Sequence, residues 1–204
     1  MKPSPPNFVV GIGGSAGGLN AYKALLEALP SDTGMAFVII AHMLPDASSQ
    51  LAQLLSRRTD MPVRVAASGM PLRANHVYVM PPNADLLLEG CLFKLVTPRL
   101  KRNTQIDVFF SSLAEAVGAR AIGIIVSGYD GDGTEGCRHI KEKGGVTFAQ
   151  DLSAEVGQMP LSAQKAGHVD SVLALNQISD ALQKLVRDQS PSSVSAPTHK
   201  HSPK

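Results

Sequence analysis

The sequence predicts an α/β fold: a mostly parallel, doubly wound sheet with helices on both faces and a small antiparallel hairpin. Short, continuously apolar runs alternate with longer segments whose apolar residues recur at helical spacing. Continuous apolar character is typical of strands covered on both faces, and alternation with helices indicates parallel strands. From residue 76 to residue 96 the segments shorten around a tight-turn signal at 89–91, which predicts the hairpin.

The individual elements follow from the same signals in chain order. The first strand is a short apolar run closed by glycines, and the first helix ends before Pro30. The predicted strands are 8–12, 36–40, 63–65, 76–80, 85–88, 92–96, 121–127 and 146–149. The predicted helices are 19–29, 48–59, 106–117, 133–143 and 161–166, and segments 172–175 and 178–186 close the domain.

Length and composition indicate one globular domain with a tail. The chain has 204 residues, 44% of them apolar, and we divide it into an N-terminal extension (1–7), a folded domain (8–188) and a disordered tail (189–204). A formal charge of +2 and 4% aromatic residues predict no nucleic-acid partner. No stretch approaches the roughly 20 apolar residues that span a membrane, and the first residues lack the apolar region and cleavage motif of a signal peptide. We therefore expect neither a signal peptide nor membrane insertion.

Two cysteines, Cys91 and Cys137, fit neither a metal site nor a disulfide framework. The residues therefore predict a reducing, cytoplasmic compartment and no metal. The acidic cluster around Asp130 and Asp132 lacks the third ligand and the distant glutamate of a calcium loop.

Three polar residues follow apolar strands that we expect to be parallel. Ser15 follows the first strand, His42 ends the second, and Asp132 follows the strand 121–127. Carboxyl ends of parallel strands meet at one edge of a sheet, where a serine, a histidine and an aspartate can act as nucleophile, base and orienting carboxylate. The alternative is structural: a turn serine capping a helix, a polar strand end, and an aspartate capping the next helix.

The glycine-rich run around Ser15 fits two chemistries. GGSAG at 13–17 matches the G-x-S-x-G pattern of a nucleophile elbow, although the chain order of the three polar residues differs from that of α/β-hydrolases. GIGGSA at 11–16 also fits a dinucleotide-binding turn. That fold needs an acidic residue at the end of the second strand, and this chain has His42 there. We therefore favour the elbow, expect no cofactor, and interpret the glycines as room for an ester and its oxyanion.

At these residues the chain resembles the catalytic domain of the bacterial chemotaxis protein-glutamate methylesterases, the CheB family, over roughly residues 8–185. Each matching block is short, and five blocks in the same order are specific. The blocks are GGSAGG at 13–18, AHM at 41–43, HVYVMPP at 76–82, SGYDGDG at 127–133, and AQD at 149–151 with the later Met159, Pro160 and Ala163.

The resemblance implies a serine hydrolase that demethylates glutamyl γ-methyl esters on the cytoplasmic helices of methyl-accepting chemoreceptors and deamidates receptor glutamines. It implies Ser15 as nucleophile, His42 as general base and acid, and Asp132 as orienting carboxylate. The backbone N–H groups of Ala16 and Tyr129 are the expected oxyanion donors.

The chain also departs from the family pattern. Ala16 stands where a threonine is frequent, and SGYD at 127–130 replaces a frequent Thr-Gly-Met-Gly, which leaves backbone donors in place but changes side chains. Seven residues precede the first strand, so we expect no N-terminal receiver domain. The residues of these blocks most resemble those of family members that are fused to a receptor methyltransferase. The chain fits a stand-alone relative or the first domain of such a fusion. A catalytically weak regulatory or docking module is the alternative function.

Overall fold

The computed structural model describes residues 5–42 and 48–189, and within them the predicted α/β fold is confirmed. The strands are β1 (Val9–Gly14), β2 (Ala36–Ala41), β3 (Val63–Val65), β4 (His76–Val79), β5 (Asp85–Glu89), β6 (Leu92–Val96), β7 (Ala121–Ile125), β8 (Val146–Gln150) and β9 (Ser171–Leu173). The helices are α1 (Gly18–Ala28), α2 (Ser48–Leu55), α3 (Gln105–Val117), α4 (Thr134–Glu142), α5 (Gln158–Lys165) and α6 (Leu175–Gln189). A 3₁₀ turn, Gly118–Arg120, joins α3 to β7.

Seven of the described strands form a parallel sheet in the order β3-β4-β2-β1-β7-β8-β9, while β5 and β6 form a separate antiparallel hairpin. The chain proceeds outward from β1 in one direction through β2 and β4, and in the other through β7, β8 and β9. The order therefore reverses between β1 and β7. Crevices for ligands lie outside the carboxyl ends of strands at such a reversal.

Two hydrophobic cores cover the two faces of this sheet. Side chains alternate along β1, so Val10 and Ile12 belong to one core and Val9 to the other. Buried residues of α1, α2 and α6 pack in the first core. Those of α3, α4 and α5 pack in the second, together with the hairpin. Both faces are thus buried, which explains why the central strands are apolar without interruption.

Two glycines of β1 allow α3 to lie close to the sheet. A Cβ atom on Gly11 would lie 2.6 Å from Phe110 Cε1, and one on Gly13 would lie 2.4 Å from Ile106 Cγ2. These separations are far below van der Waals contact, so any side chain there would displace α3. Gly11 and Gly13 therefore serve helix packing, which corrects the interpretation that the glycines of this run make room for an ester.

Several boundaries differ from the predicted ones. Residues His76–Val79 pair with β2 in the main sheet, so only β5 and β6 form the hairpin. The second helix ends at Leu55 rather than at 59, and α5 begins at Gln158, with Pro160 tolerated in its first turn. The helix α6 continues to Gln189, one residue into the predicted tail. The rest of that tail, residues 1–4 of the predicted extension and Met43 of the AHM block lie outside the described residues.

No helix among the described residues has the length and apolar content that crossing a bilayer requires.

Candidate active site

Ser15 lies in a tight turn between β1 and α1. Its backbone N–H donates to the carbonyl of Ser127 at 2.9 Å, and the N–H of Gly18 donates to the Ser15 carbonyl at 2.9 Å. Gly17 has a φ of +74°, in the left-handed region that favours glycine. The turn thus holds a half-buried Ser15 directly beyond the carboxyl end of β1.

The loop after β7 approaches Ser15 closely because Gly128 has no side chain. A Cβ atom on Gly128 would lie 3.2 Å from Ser15 Cβ and 2.7 Å from the Met159 methyl carbon. On the other side, a Cβ atom on Gly14 would lie 2.7 Å from the hydroxyl of Tyr22. The backbone beside the serine is therefore enclosed by neighbouring loops and by α1.

His42 follows β2, and its imidazole contacts Asp132. The distance from His42 Nε2 to Asp132 Oδ2 is 2.6 Å. The first turn of α3 also points at this carboxylate: the N–H groups of Ile106 and Asp107 donate to its Oδ2 and Oδ1 at 3.0 and 2.9 Å. A helix N-terminus thus holds a buried carboxylate in a fixed orientation behind the imidazole.

This contact assigns the proton on the imidazole. Asp132 accepts hydrogen bonds from backbone donors, so His42 Nε2 must donate to it. In the neutral ring, Nδ1 is then the nitrogen with a free lone pair. The Oδ2 atom of Asp130 lies 4.0 Å from this Nδ1.

Ser15 and His42 open onto one cleft of about 250 Å³ at the carboxyl edge of the sheet. Its other lining residues are mostly apolar and come from α1, β2 and α2: Leu19, Tyr22, Ala41, Gln50, Leu51 and Leu54. A larger cleft of about 630 Å³ lies between the carboxyl ends of α1 and α2 and contains none of the three predicted catalytic residues. The strand order β2-β1-β7 thus brings Ser15, His42 and Asp132 to neighbouring strand ends.

Two of the backbone donors near Ser15 are already occupied. The N–H of Gly128 donates to the Val156 carbonyl at 2.9 Å, and that of Ser127 donates to Gln150 Oε1 at 3.1 Å. Within residues 5–42 and 48–189, the N–H groups of Ala16 and Tyr129 have no acceptor. The two donors expected from the sequence are therefore free of competing acceptors among the described residues.

Ser127 fixes the turn that carries Ala16, a role that the sequence alone does not indicate. Its hydroxyl donates to the Ala16 carbonyl at 2.7 Å and accepts from the Val156 N–H at 2.9 Å. The hydroxyl orients the peptide plane after Ala16. Its only sequence signal was its place in the SGYDGDG block.

Asp107 is a second residue whose role the sequence alone does not indicate. Its Oδ1 accepts the N–H groups of Gly133 and Gly136 at 2.9 and 2.7 Å, and so caps α4 from α3. Burial, reinforced by the charge of Asp132 and opposed by the two N–H donors, raises the pKa of Asp107 from 3.8 to about 6. The two aspartates thus cap each other's helices: Asp132, which precedes α4, binds the start of α3, and Asp107 of α3 binds the start of α4.

Replacing Asp107 with asparagine is expected to stabilise the protein at pH 7 by about 1 kcal/mol, a figure reduced for partial exposure. The amide oxygen retains both bonds to Oδ1, and the desolvated charge is lost. Between pH 3.8 and about 6 the folded parent binds more protons here than the unfolded chain does, so its unfolding free energy falls as pH rises. Urea unfolding at pH 4 and pH 7 should show the variant's advantage only at the higher pH. Exposed Asp60→Asn is the control, and an advantage independent of pH would contradict the assignment.

Among the residues that the structure describes, no group of three or more histidines, cysteines, aspartates and glutamates is arranged to hold a metal ion. Of the acidic cluster noted in the sequence, Asp130 binds its own loop, since its Oδ1 accepts the backbone N–H of Asp132 at 3.0 Å.

Known proteins resemble this chain over most of its length. The family model described as CheB methylesterase matches residues 10–182, a span that contains all three predicted catalytic residues. A protein of Leptospira interrogans, named a putative protein-glutamate methylesterase/protein-glutamine glutaminase, is 35% identical over 178 residues. That alignment covers 85% of this chain and 92% of the relative.

Other relatives are longer than this chain. A protein-glutamate methylesterase/protein-glutamine glutaminase of Hydrogenovibrio crunogenus is 33% identical over 190 residues, which cover 90% of this chain and 50% of the relative. Among solved structures, the CheB methylesterase catalytic domain of Thermotoga maritima superposes with a TM-score of 0.81 at 26% identity. The match covers 89% of this chain and 99% of that domain.

Proposed function

This chain belongs to the CheB methylesterase family, and we propose that it is a serine hydrolase that removes methyl groups from glutamyl γ-methyl esters on chemoreceptors. The observation that carries the proposal is the 2.6 Å contact between His42 Nε2 and Asp132 Oδ2, beside a cleft that Ser15 also lines. The relatives' names add protein glutamine hydrolysis, which forms the same acyl group and releases ammonia instead of methanol.

In the proposed reaction, Ser15 attacks the γ-carbonyl carbon of the methylated glutamate. The proton of Oγ passes to His42 Nδ1, the nitrogen with the free lone pair. Asp132 accepts the Nε2–H and stabilises the positive charge that forms on the ring. This role is supported by two backbone N–H groups of α3, which donate to the Asp132 carboxylate and keep it in place.

The carbonyl oxygen becomes an anion as the Ser15 ester bond forms. The N–H groups of Ala16 and Tyr129 bind this oxyanion, and they are supported as donors because their neighbours Ser127 and Gly128 already have acceptors. Such donors, held in place before the reaction, stabilise the transition state without reorganisation.

The ester C–O bond then breaks, and the imidazolium returns its proton to the leaving oxygen as methanol. Water attacks the glutamyl-Ser15 ester, His42 Nδ1 takes the water's proton, and Ser15 Oγ leaves with that proton. The products are methanol and a free glutamate side chain, with one water consumed.

The cleft also suits this substrate. Leu19, Leu51 and Leu54 line it, and their apolar surface matches the aliphatic chain and neutral ester of a methylated glutamate. We place this glutamate on the cytoplasmic helices of methyl-accepting chemoreceptors and assign production of the ester to a receptor methyltransferase. This would place the enzyme in the cytoplasm, where unbridged thiols such as Cys91 and Cys137 are stable.

The decisive assay is methanol release from a chemoreceptor methylated with labelled methyl groups. The protein should release methanol from the methylated receptor and none from a receptor whose methylation sites are alanine. A fluorophosphonate should label it covalently in the same preparation. Receptor binding without methanol release or labelling would overturn the proposal and favour a docking module.

A further inference from the structure

A second carboxylate, that of Asp130, lies on the reactive side of His42. Asp132 occupies Nε2, so the proton of Ser15 must reach Nδ1, and the ester must lie beside that nitrogen during attack. Asp130 Oδ2 is 4.0 Å from Nδ1, with its side chain 34% exposed. An acyl group on Ser15 is therefore close to a partly exposed negative charge.

The conformation of Asp130 fixes this position. Its φ is +66°, a left-handed geometry that residues other than glycine, asparagine and aspartate rarely adopt. Its Oδ1 accepts the N–H of Asp132 at 3.0 Å, which directs Oδ2 toward His42. The left-handed backbone and the local bond hold the carboxylate beside His42 Nδ1.

No described cation neutralises this charge. Lys165 of α5 lines a surface cleft with Asp130, yet residues 5–42 and 48–189 contain no lysine or arginine ion pair with it. Among the residues that the structure describes, the cleft beside His42 is also lined by Tyr22 of α1 and the neutral Gln50, Leu51 and Leu54 of α2, and Asp132 contacts the imidazole from the Nε2 side. The phenol of Tyr22 is buried, and burial strongly raises its pKa, so it stays uncharged.

We infer that Asp130 is a specificity-determining residue that makes the site favour methyl esters flanked by a cationic residue and disfavour anionic neighbours. The inference rests on the proposed function, because it assumes acylation at Ser15. Asp130 also favours product release: the ester is neutral, whereas the glutamate product carries a negative charge that Asp130 repels.

The test uses methylated chemoreceptor in three versions, with lysine, glutamine or glutamate at one exposed position a helical turn from the methylated glutamate. A unit charge about 6 Å from Asp130 at a dielectric constant of about 80 changes binding ~3-fold. The parent should therefore prefer the lysine over the glutamate version by ~10-fold in kcat/KM for methanol release. This preference should shrink in 1 M salt, where the screening length is about 3 Å.

Asp130→Asn keeps the Oδ1 acceptor and tolerates the left-handed backbone, and it should bring the lysine-to-glutamate ratio to ~1. Asp151→Asn is the matched control, because Asp151 Oδ1 likewise accepts an N–H two residues on, from Ser153 at 3.0 Å. Asp151 follows β8, which lies three strands from β2 and so about 14 Å, by strand spacing, from the strand that His42 follows. The lysine-to-glutamate ratio should therefore remain at the parent value.

The outcomes separate the two proposals. If the parent releases methanol but Asp130→Asn leaves the lysine-to-glutamate ratio of kcat/KM unchanged, the role of Asp130 is overturned and the proposed function is not. A fall in the ratio with Asp151→Asn would overturn it as well, since any surface charge would then act equally. A parent that releases no methanol from any version would overturn the proposed function and this inference together.

Discussion

Replacing Ser15 with alanine is expected to lower methanol release from methylated chemoreceptor by about 10⁴-fold or more, the range found when comparable hydrolases lose a triad member. Alanine has no hydroxyl to form the acyl intermediate. The turn should survive, because the Ser15 bonds that define it come from the backbone, to Ser127 and Gly18. Within the described residues, the Ser15 hydroxyl has no hydrogen-bond partner whose loss would destabilise the fold.

The measurement compares initial rates of methanol release and the extent of fluorophosphonate labelling. Both should be lost in Ser15→Ala, while the melting temperature stays near that of the parent. Ser56→Ala removes an exposed hydroxyl that, within the described part of the chain, donates to the Gln53 carbonyl alone, and it should keep rate and labelling. Methanol release by Ser15→Ala at the parent rate would show that another group is the nucleophile.

The fold was predictable because its signals are local. A strand buried on both faces must be apolar at every position, and Ala36–Ala41 is apolar throughout. Element ends were less predictable, because they depend on contacts that are distant in sequence. Residues His76–Val79 look like the start of a hairpin, yet β4 lies between β2 and β3 in the main sheet.

The three predicted catalytic residues could be identified from the sequence because a parallel sheet places the carboxyl ends of adjacent strands side by side. Ser15, His42 and Asp132 follow β1, β2 and β7, which are adjacent in the sheet. Their roles remain predictions until the variants are measured. The sequence held no comparable signal for Asp107, which acts on backbone N–H groups 26 and 29 residues away.

The glycine run shows a second limit of pattern reasoning. Its glycines look alike in the sequence but meet different neighbours in the fold. Gly11 and Gly13 accommodate α3, whereas Gly17 supplies the left-handed turn after Ser15. The motif therefore predicted the correct turn, but the role it suggested for Gly11 and Gly13 was wrong.

Replacing Asp132 with asparagine is expected to lower methanol release by about 10⁴-fold, as in triads whose carboxylate becomes an amide. Asp132 accepts three N–H groups: those of His42 and Ile106 on Oδ2, and that of Asp107 on Oδ1. An amide has only one oxygen. If its nitrogen takes the place of Oδ2, it meets the Ile106 N–H, and His42 Nε2 must become an acceptor. Nδ1 then carries the proton, which removes the base from Ser15.

If the amide nitrogen instead faces the Asp107 N–H, two donors meet there, so in either orientation the fold loses about 1–3 kcal/mol. Activity must therefore be compared per folded molecule, at a temperature well below melting. Asp170→Asn is the stability control, since Asp170 also accepts a backbone N–H, from Thr147 at 2.9 Å, but lies beside β8 and β9. It should lose unfolding free energy and keep its rate. Folded Asp132→Asn that releases methanol at the parent rate would show that the charge of Asp132 does not support His42 as the base, because the amide lacks that charge in either orientation.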